Sequence, residues 1–238
     1  VAHADAVICI SRTEEERLTR KYPDSRIDYL PNGIEPERFQ HPDTADIRRE
    51  YGIPADRKLI LCVSRIDYQK NQKILLELLA HTADTHLLLV GPVTAQWYCA
   101  ELLDEVKHRH LTDRFTLIPG LPPDSPQLYS AYHSAYVFVL PSLHEPFGIA
   151  ALEAWAAGVP LAAACTGGLR DFIREGENGL FFQPDSAASL LEVWRKMEDP
   201  DLRFQLVRNG LEDVRRYTWS ALTKRLAGIY QEVKNEIR

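Results

Sequence analysis

Two glutamates, Glu145 and Glu153, stand eight positions apart in the stretch SLHEPFGIAALEAWAAG, with Pro146, Phe147 and Gly148 directly after the first. Most glutamates on amphipathic helices are solvated surface residues with no chemical task. Here the residues around the acids are apolar or small: Phe147, Ile149, Ala150, Ala151, Leu152, Ala154, Trp155, Ala156 and Ala157. That run describes a helix buried nearly all round, in which a carboxylate needs a partner or a ligand. With Pro146 at an early helical position and the segment helical throughout, the spacing separates the carboxylates by about 12 Å along the axis. Gly148 lets backbone come close to a ligand, so the amides of Phe147, Gly148 and Ile149 can donate at the positive helix end.

A second cluster is cationic. In SRIDYQKN, Arg65 and Lys70 follow an apolar run ending at Val63 and precede a helix expected from Asn71. A guanidinium fork and an ammonium point charge beside a helix N-terminus suit a diphosphate. A third loop, CTGGLRDFI, places Gly167 and Gly168 between a strand and a helix and resembles a phosphate nest. No G-x-G-x-x-G fingerprint occurs, which disfavours a dinucleotide dehydrogenase. Asp199-Pro200-Asp201 fits a metal-holding D-x-D pattern, but between two helices it reads as a cap. His133 and His144, standing singly, read as loop or core residues.

The elements that must position these groups emerge from periodicity. Short apolar runs alternate with helical patterns, the signature of a doubly wound parallel sheet. A strand over 6–10 and a helix over 13–22, capped by Ser11 or Thr13, precede the turn-rich passage LPNGIEPERFQHPD, which reads as a linker. From Lys58 the order is regular: KLILCVS as a strand, a helix over 71–81, THLLLVG, a helix over 95–109, FTLIPG, a short helix over 126–133, and AYVFVLPS. The helix of Glu153 comes next, then PLAAAC, a short helix over 169–175, GLFFQP, and helices over 186–198, 200–216 and 219–237. One Rossmann-like domain over about 40–215 results, with ligands expected at the carboxyl ends of its strands.

Composition excludes several classes. With 238 residues, 45% of them hydrophobic, the chain can bury a sizeable core. A net charge of −6 argues against a general nucleic-acid or anionic-membrane binder, so any phosphate must be met by a local cluster. Cys9, Cys62 and Cys165 lie in apolar runs and read as buried thiols; no C-x-x-C pair announces zinc. No apolar run approaches the ~20 residues of a membrane span, and the default location is cytoplasmic.

Taken in this order, SRIDYQKN, EPFGIAALE, TGGLRD and EGENGLFFQPD resemble the retaining glycosyltransferases of family 4 over roughly residues 28 to 238. The E-x7-E element from Glu145 to Glu153 is the most specific part. The resemblance implies the GT-B fold, two Rossmann-like domains facing each other across a cleft, of which this chain supplies the donor-binding carboxyl-terminal half. It implies that Arg65 and Lys70 bind the donor diphosphate and stabilise it as a leaving group. Glu145 meets the donor sugar with the amides of Phe147, Gly148 and Ile149, and Glu153 meets the ribose, an arrangement the 12 Å span would fit. Backbone near Gly120 and Leu121 meets the base. No metal or other cofactor is implied; a UDP-sugar is favoured over a GDP-sugar. The acceptor, a sugar, a lipid-linked sugar or a small molecule, stays open, and the full-length protein could sit peripherally at a membrane.

Residues 1–40 are then the last strand and helix of the amino-terminal domain plus a linker. Residues 41–215 form the donor domain, and 216–238 a helix that packs back on the missing domain. Such a chain is expected to be inactive alone. The alternative is a nucleotide-sugar-binding module that works with a separate acceptor-binding chain. A nucleotide-sugar epimerase would want acid and base residues across the cleft that are not evident.

Overall fold

The computed structural model describes residues 1, 3–40 and 45–236; the end of the expected linker, residues 41–43, and the expected helix end at Ile237 lie outside the described residues. The chain opens with β1 (Val7–Cys9), α1 (Arg12–Lys21) and β2 (Ile27–Tyr29), in which β1 and β2 pair in parallel through Val7↔Ile27, Ile8↔Asp28 and Cys9↔Tyr29. Ser11 caps α1 by accepting from the amide of Glu14, as its position before three glutamates anticipates. The strand β2 is an addition to the expected elements. Three residues with Asp28 in the middle carry too little alternation to announce one.

The turn-rich passage after β2 is more ordered than a linker. It contains a 3₁₀ turn, Pro36–Phe39, and its Ile34 amide donates to the Tyr217 carbonyl at 2.8 Å. After α2 (Ile47–Glu50) the alternation is regular: β3 (Lys58–Val63), α3 (Ile74–His81), β4 (Thr85–Val90), α4 (Gln96–His108), β5 (Phe115–Ile118), α5 (Pro126–Ser134) and β6 (Val137–Leu140). Then come α6 (Ile149–Ala156), β7 (Leu161–Ala164), β8 (Leu180–Phe182), α7 (Ala187–Met197), α8 (Pro200–Asp213) and α9 (Trp219–Glu236). Asp199 caps α8, its Oδ1 accepting from the amides of Asp201 and Leu202.

β3 to β8 form one six-stranded parallel sheet in the order β5-β4-β3-β6-β7-β8. β3 and β4 run in register from Lys58↔Thr85 to Val63↔Val90, and β3 meets β6 at Ile60↔Val137 and Leu61↔Phe138. Both faces are covered, which is why these strands read as continuous apolar runs. Leu59, Leu61, Phe138 and Leu140 point into one layer with Leu128 and Tyr132 of α5 and Ala151, Leu152 and Trp155 of α6. Ile60, Cys62, Leu87 and Val137 point into the other, against α3, α4 and α7 through Leu75, Leu102 and Trp194. Cys9, Cys62 and Cys99 are buried, whereas Cys165, expected to be buried, lies just past β7 and is only half-buried.

From β3 the sheet grows outward through β4 to β5, and from β6 it grows the other way through β7 to β8. The order therefore reverses between β3 and β6, and a doubly wound sheet opens a crevice at that point. The loop with Arg65 and Lys70 leaves β3, and the loop with Glu145 leaves β6. Among the described residues no helix is long and apolar enough to cross a membrane.

Candidate functional site at the strand-order reversal

The two loops meet directly. Lys70 Nζ donates to Glu145 Oε2 at 2.7 Å, with side-chain exposures of 12% and 9%, so the pair is shielded yet reachable. The buried Ser142 hydroxyl donates to the same oxygen at 3.1 Å, and the Leu143 amide donates to the Gln69 carbonyl at 2.8 Å. Glu145 is thus held by groups from both sides of the crevice. An ion pair of this kind needs supplementary hydrogen bonds to offset desolvation, and Ser142 supplies one.

The cationic loop is not the start of a helix. Tyr68–Lys70 form a 3₁₀ turn capped by Asp67, Asn71 is left-handed at φ 52°, and α3 begins only at Ile74. The Gln69 amide donates to Asp67 Oδ1 at 3.0 Å and holds that carboxyl below its usual range. Arg65, half exposed, lies 3.5 Å from Asp67 Oδ2, so its fork stays available to the crevice. Behind it, Gln72 is fully buried and donates to Ser64 Oγ at 2.9 Å and to the Arg65 carbonyl at 2.7 Å. From the other side Gly91 presses against the Ser64 carbonyl, where a Cβ would come within 1.9 Å. The backbone that presents Arg65 is therefore clamped.

The segment from Glu145 to Glu153 is likewise not one helix. Gly148 takes φ 98° and ends the loop, so α6 starts at Ile149 and Pro146 lies before it. The 12 Å helical spacing accordingly does not describe these two carboxylates. The amides of Phe147, Gly148 and Ile149 find no acceptor among the described residues, and these three residues line the same cavity as Arg65, Lys70 and Glu145. That cavity, about 310 Å³, also takes in Ile10 from the end of β1 and Asn32 after β2. Phe147 itself turns away into the core beside Phe172 at 5.3 Å, anchoring the loop.

Gly167 and Gly168 do not form an open anion nest. The Gly168 amide donates to the Glu145 carbonyl at 2.9 Å, and the expected helix over 169–175 is a 3₁₀ turn over Gly167–Asp171. A Cβ on Gly167, at φ 49°, would come within 2.0 Å of the Glu145 carbonyl oxygen, and one on Gly168 within 2.2 Å of that of Pro146. The two glycines let this turn press against the backbone of Glu145 and Pro146.

Glu153 opens onto a neighbouring cavity of about 160 Å³, shared with Ile149, Glu35, Arg38, Asp124 and Trp219. Burial pushes its carboxyl up, and a hydrogen bond of 2.5 Å from the Tyr132 hydroxyl to Oε2 pulls it back. Ile149 lines both cavities, so Glu145 and Glu153 lie in adjoining parts of one cleft. Gly120, at φ 117°, and the half-buried Leu121 come after β5, but neither lines these two cavities. A third space of about 320 Å³ lies on the other side of Glu145, between His144 and Gly167 and the Ser11, Thr13 and Arg17 side chains at the start of α1. Asn32, Tyr132, Ser142 and Gln72 join the site without having been expected there. Only Asn32 carries a local signal, as half of an Asn-Gly turn.

The arrangement offers two cations, a held carboxylate and three open amides around one cavity, with a second carboxylate beside it. Cations and amides suit a diphosphate, and carboxylates suit hydroxyls. Over 251 aligned residues the chain is 32% identical to a D-inositol 3-phosphate glycosyltransferase of Acidothermus cellulolyticus, covering 100% of this chain and 55% of that protein. It superposes on a sucrose-phosphate synthase of Thermosynechococcus elongatus with a TM-score of 0.84 at 29% identity, covering 98% of this chain and 59% of that one. It shares the fold of Anabaena Alr3699/HepE, solved in complex with UDP and glucose, with a TM-score of 0.84 at 24% identity over 96% of this chain and 63% of that one. The chain thus spans a little over half the length of the curated relatives it matches. The parallel sheet is that of the GT-B glycosyltransferases. Residues 43–213 match the family described as Glycosyl transferases group 1, and the chain belongs to it.

Proposed function

We propose that this chain is the donor-binding half of a retaining glycosyltransferase of family 4. The observation that carries the reading is the convergence of Arg65, Lys70, Glu145 and the open amides of Phe147, Gly148 and Ile149 on one cavity at the strand-order reversal. Arg65 and Lys70 meet the diphosphate of a nucleotide sugar, Glu145 and the amides meet the sugar hydroxyls, and Glu153 accepts from the ribose. The backbone around Gly120 and Leu121 meets the base. Neighbours solved with UDP, and with UDP-glucose, favour a UDP-sugar as donor.

In the reaction the bond from the anomeric carbon to the β-phosphate oxygen breaks and a bond to an acceptor hydroxyl oxygen forms on the same face. The acceptor proton passes to the departing phosphate oxygen, so configuration is retained without a protein nucleophile. Charge that develops on the leaving diphosphate is met by Lys70, already held by Glu145, and by Arg65, whose backbone is clamped, so little reorganisation is needed. No metal ion has a role in this scheme. Lys70 is shared between Glu145 and the diphosphate, which couples donor binding to the sugar contact.

Residues 1–40 are proposed as the end of an acceptor-binding domain and its connection, 41–215 as the donor domain, and 216–238 as the helix that packs back. Its α9 already reaches β2: Arg26 pairs with Glu232 at 2.5 Å and Arg225 lies over the Tyr29 ring. The reading places the protein in the cytoplasm and leaves the acceptor to the remaining half of the enzyme.

A thermal-shift screen of UDP, GDP, ADP and their common sugars tests the proposal. At a hundredfold excess over Kd a ligand specific to the native state adds about 2.7 kcal/mol. For a chain this size that raises the melting temperature by roughly 5–10 °C. One nucleotide and its sugar should do so, with no sugar transfer by the 238-residue chain alone. Absence of any shift would reject donor binding, and turnover by the chain alone would reject its role as a half.

A further inference from the structure

We infer that Tyr132 is the positioning residue for Glu153: its hydroxyl holds one carboxylate oxygen so that the other faces the nucleotide cavity. The inference rests on the reading of Glu153 as the ribose contact. The hydroxyl donates to Glu153 Oε2 at 2.5 Å, and Oε1 receives no hydrogen bond from the described residues.

Tyr132 cannot turn away. It is fully buried, with the Phe39 ring edge-on at 5.6 Å and the Phe138 ring tilted at 5.6 Å. Its helix is fixed ahead of the contact, since Ser125 caps α5 through the Leu128 amide and Ser130 Oγ accepts from the Ile47 amide at 3.0 Å. Burial pushes the phenol well above its usual range, so it keeps its proton and acts only as donor toward Glu153.

Glu153 needs that donor. The groups facing its cavity are Glu35, Arg38 and Asp124. Arg38 is the one cation among them, and it is already paired with Glu35 at 2.5 Å and with Asp124. Burial would therefore favour a protonated Glu153, a state that loses the charged acceptor a ribose hydroxyl prefers. The Tyr132 hydroxyl opposes this and fixes which oxygen is offered, leaving Oε1 as the single acceptor for the nucleotide. A residue that merely fills the core would affect stability without moving either the titration or the pH dependence of binding.

The test combines carboxyl carbon NMR with calorimetry on the full 238-residue chain. The Glu153 resonance is assigned by its loss in Glu153→Gln. In Tyr132→Phe it should titrate at higher pH than in the wild type. UDP-glucose, which does not ionise in this range, should lose about tenfold more affinity between about pH 8 and about pH 5.5 in Tyr132→Phe than in the wild type, as expected for one hydrogen bond to a charged group. An unmoved titration, or a uniform loss of affinity at every pH, would overturn the inference. If Tyr132→Phe fails to fold, 3-fluorotyrosine at position 132 replaces it. Its more acidic hydroxyl should move the Glu153 titration to lower pH, and no movement overturns the inference equally. The ribose reading fails separately: unaltered UDP-glucose affinity in Glu153→Gln would reject it even if the titration shifts as expected.

Discussion

Glu145 and Glu153 differ in what holds them, and that difference sets what each can do. Glu145 is paired with a cation and a hydroxyl, so it stays a fixed acceptor, and its neighbour Lys70 is the residue proposed to serve the diphosphate as well. Glu153 is held by a neutral hydroxyl, and burial pushes its carboxyl up while that hydroxyl pulls it back. In calorimetric titration Glu153→Ala should weaken UDP and UDP-glucose alike, by about 10- to 100-fold, as for the loss of one or two hydrogen bonds to a carboxylate. Glu145→Ala should weaken UDP-glucose by a similar factor and UDP by much less. Equal losses for both ligands at Glu145 would refute its assignment to the sugar. Both acids are legible in the sequence because a carboxylate inside an apolar run is conspicuous. Tyr132, Ser142 and Gln72 are not, since a hydroxyl or amide acquires its role only from a partner distant in the chain.

At the scale of elements, the site depends on turns and on the start of α6. The cationic loop and the Glu145 loop are legible as strand exits, because apolar runs ended by polar residues fix strand ends well. The backbone just past those exits is not. Asn71 and Gly148 both take positive φ, and each breaks a pattern that otherwise reads as continuous helix. The pair Gly167-Gly168 reads in sequence as an anion site, whereas its main effect is on the backbone it touches. Replacing Gly167 by Ala should cost about 1–3 kcal/mol, from the left-handed backbone and the clash with the Glu145 carbonyl, measured by urea denaturation. Nucleotide-sugar affinity should fall further than stability alone explains, because the displaced loop carries Glu145. A variant with wild-type affinity would show that this turn does not set the loop.

At the scale of the molecule, the six-stranded sheet is legible from alternating runs, and its strand order is not, since order depends on which helices cross which face. That order decides function here by placing both loops at one crevice. The sheet also carries a pH liability. His86 in β4 is buried, hydrogen-bonded to Thr116 at 2.8 Å, and burial lowers its pKa to about 4. The folded state then binds a proton less readily than the unfolded chain, so stability is complete above the usual histidine range and is lost as pH falls toward 4. Between about pH 7 and about pH 5 this group should remove about 2 kcal/mol, and His86→Gln should flatten that part of the stability profile in urea titrations.

The most direct measurement is a crystal structure of this chain with the nucleotide sugar that gives the largest thermal shift. The diphosphate should lie within hydrogen-bond reach of Lys70 and Arg65, the sugar against Glu145 and the amides of Phe147 to Ile149, and a ribose hydroxyl on Glu153 Oε1. A nucleotide bound elsewhere on the sheet, or a sugar turned away from Glu145, would contradict that placement.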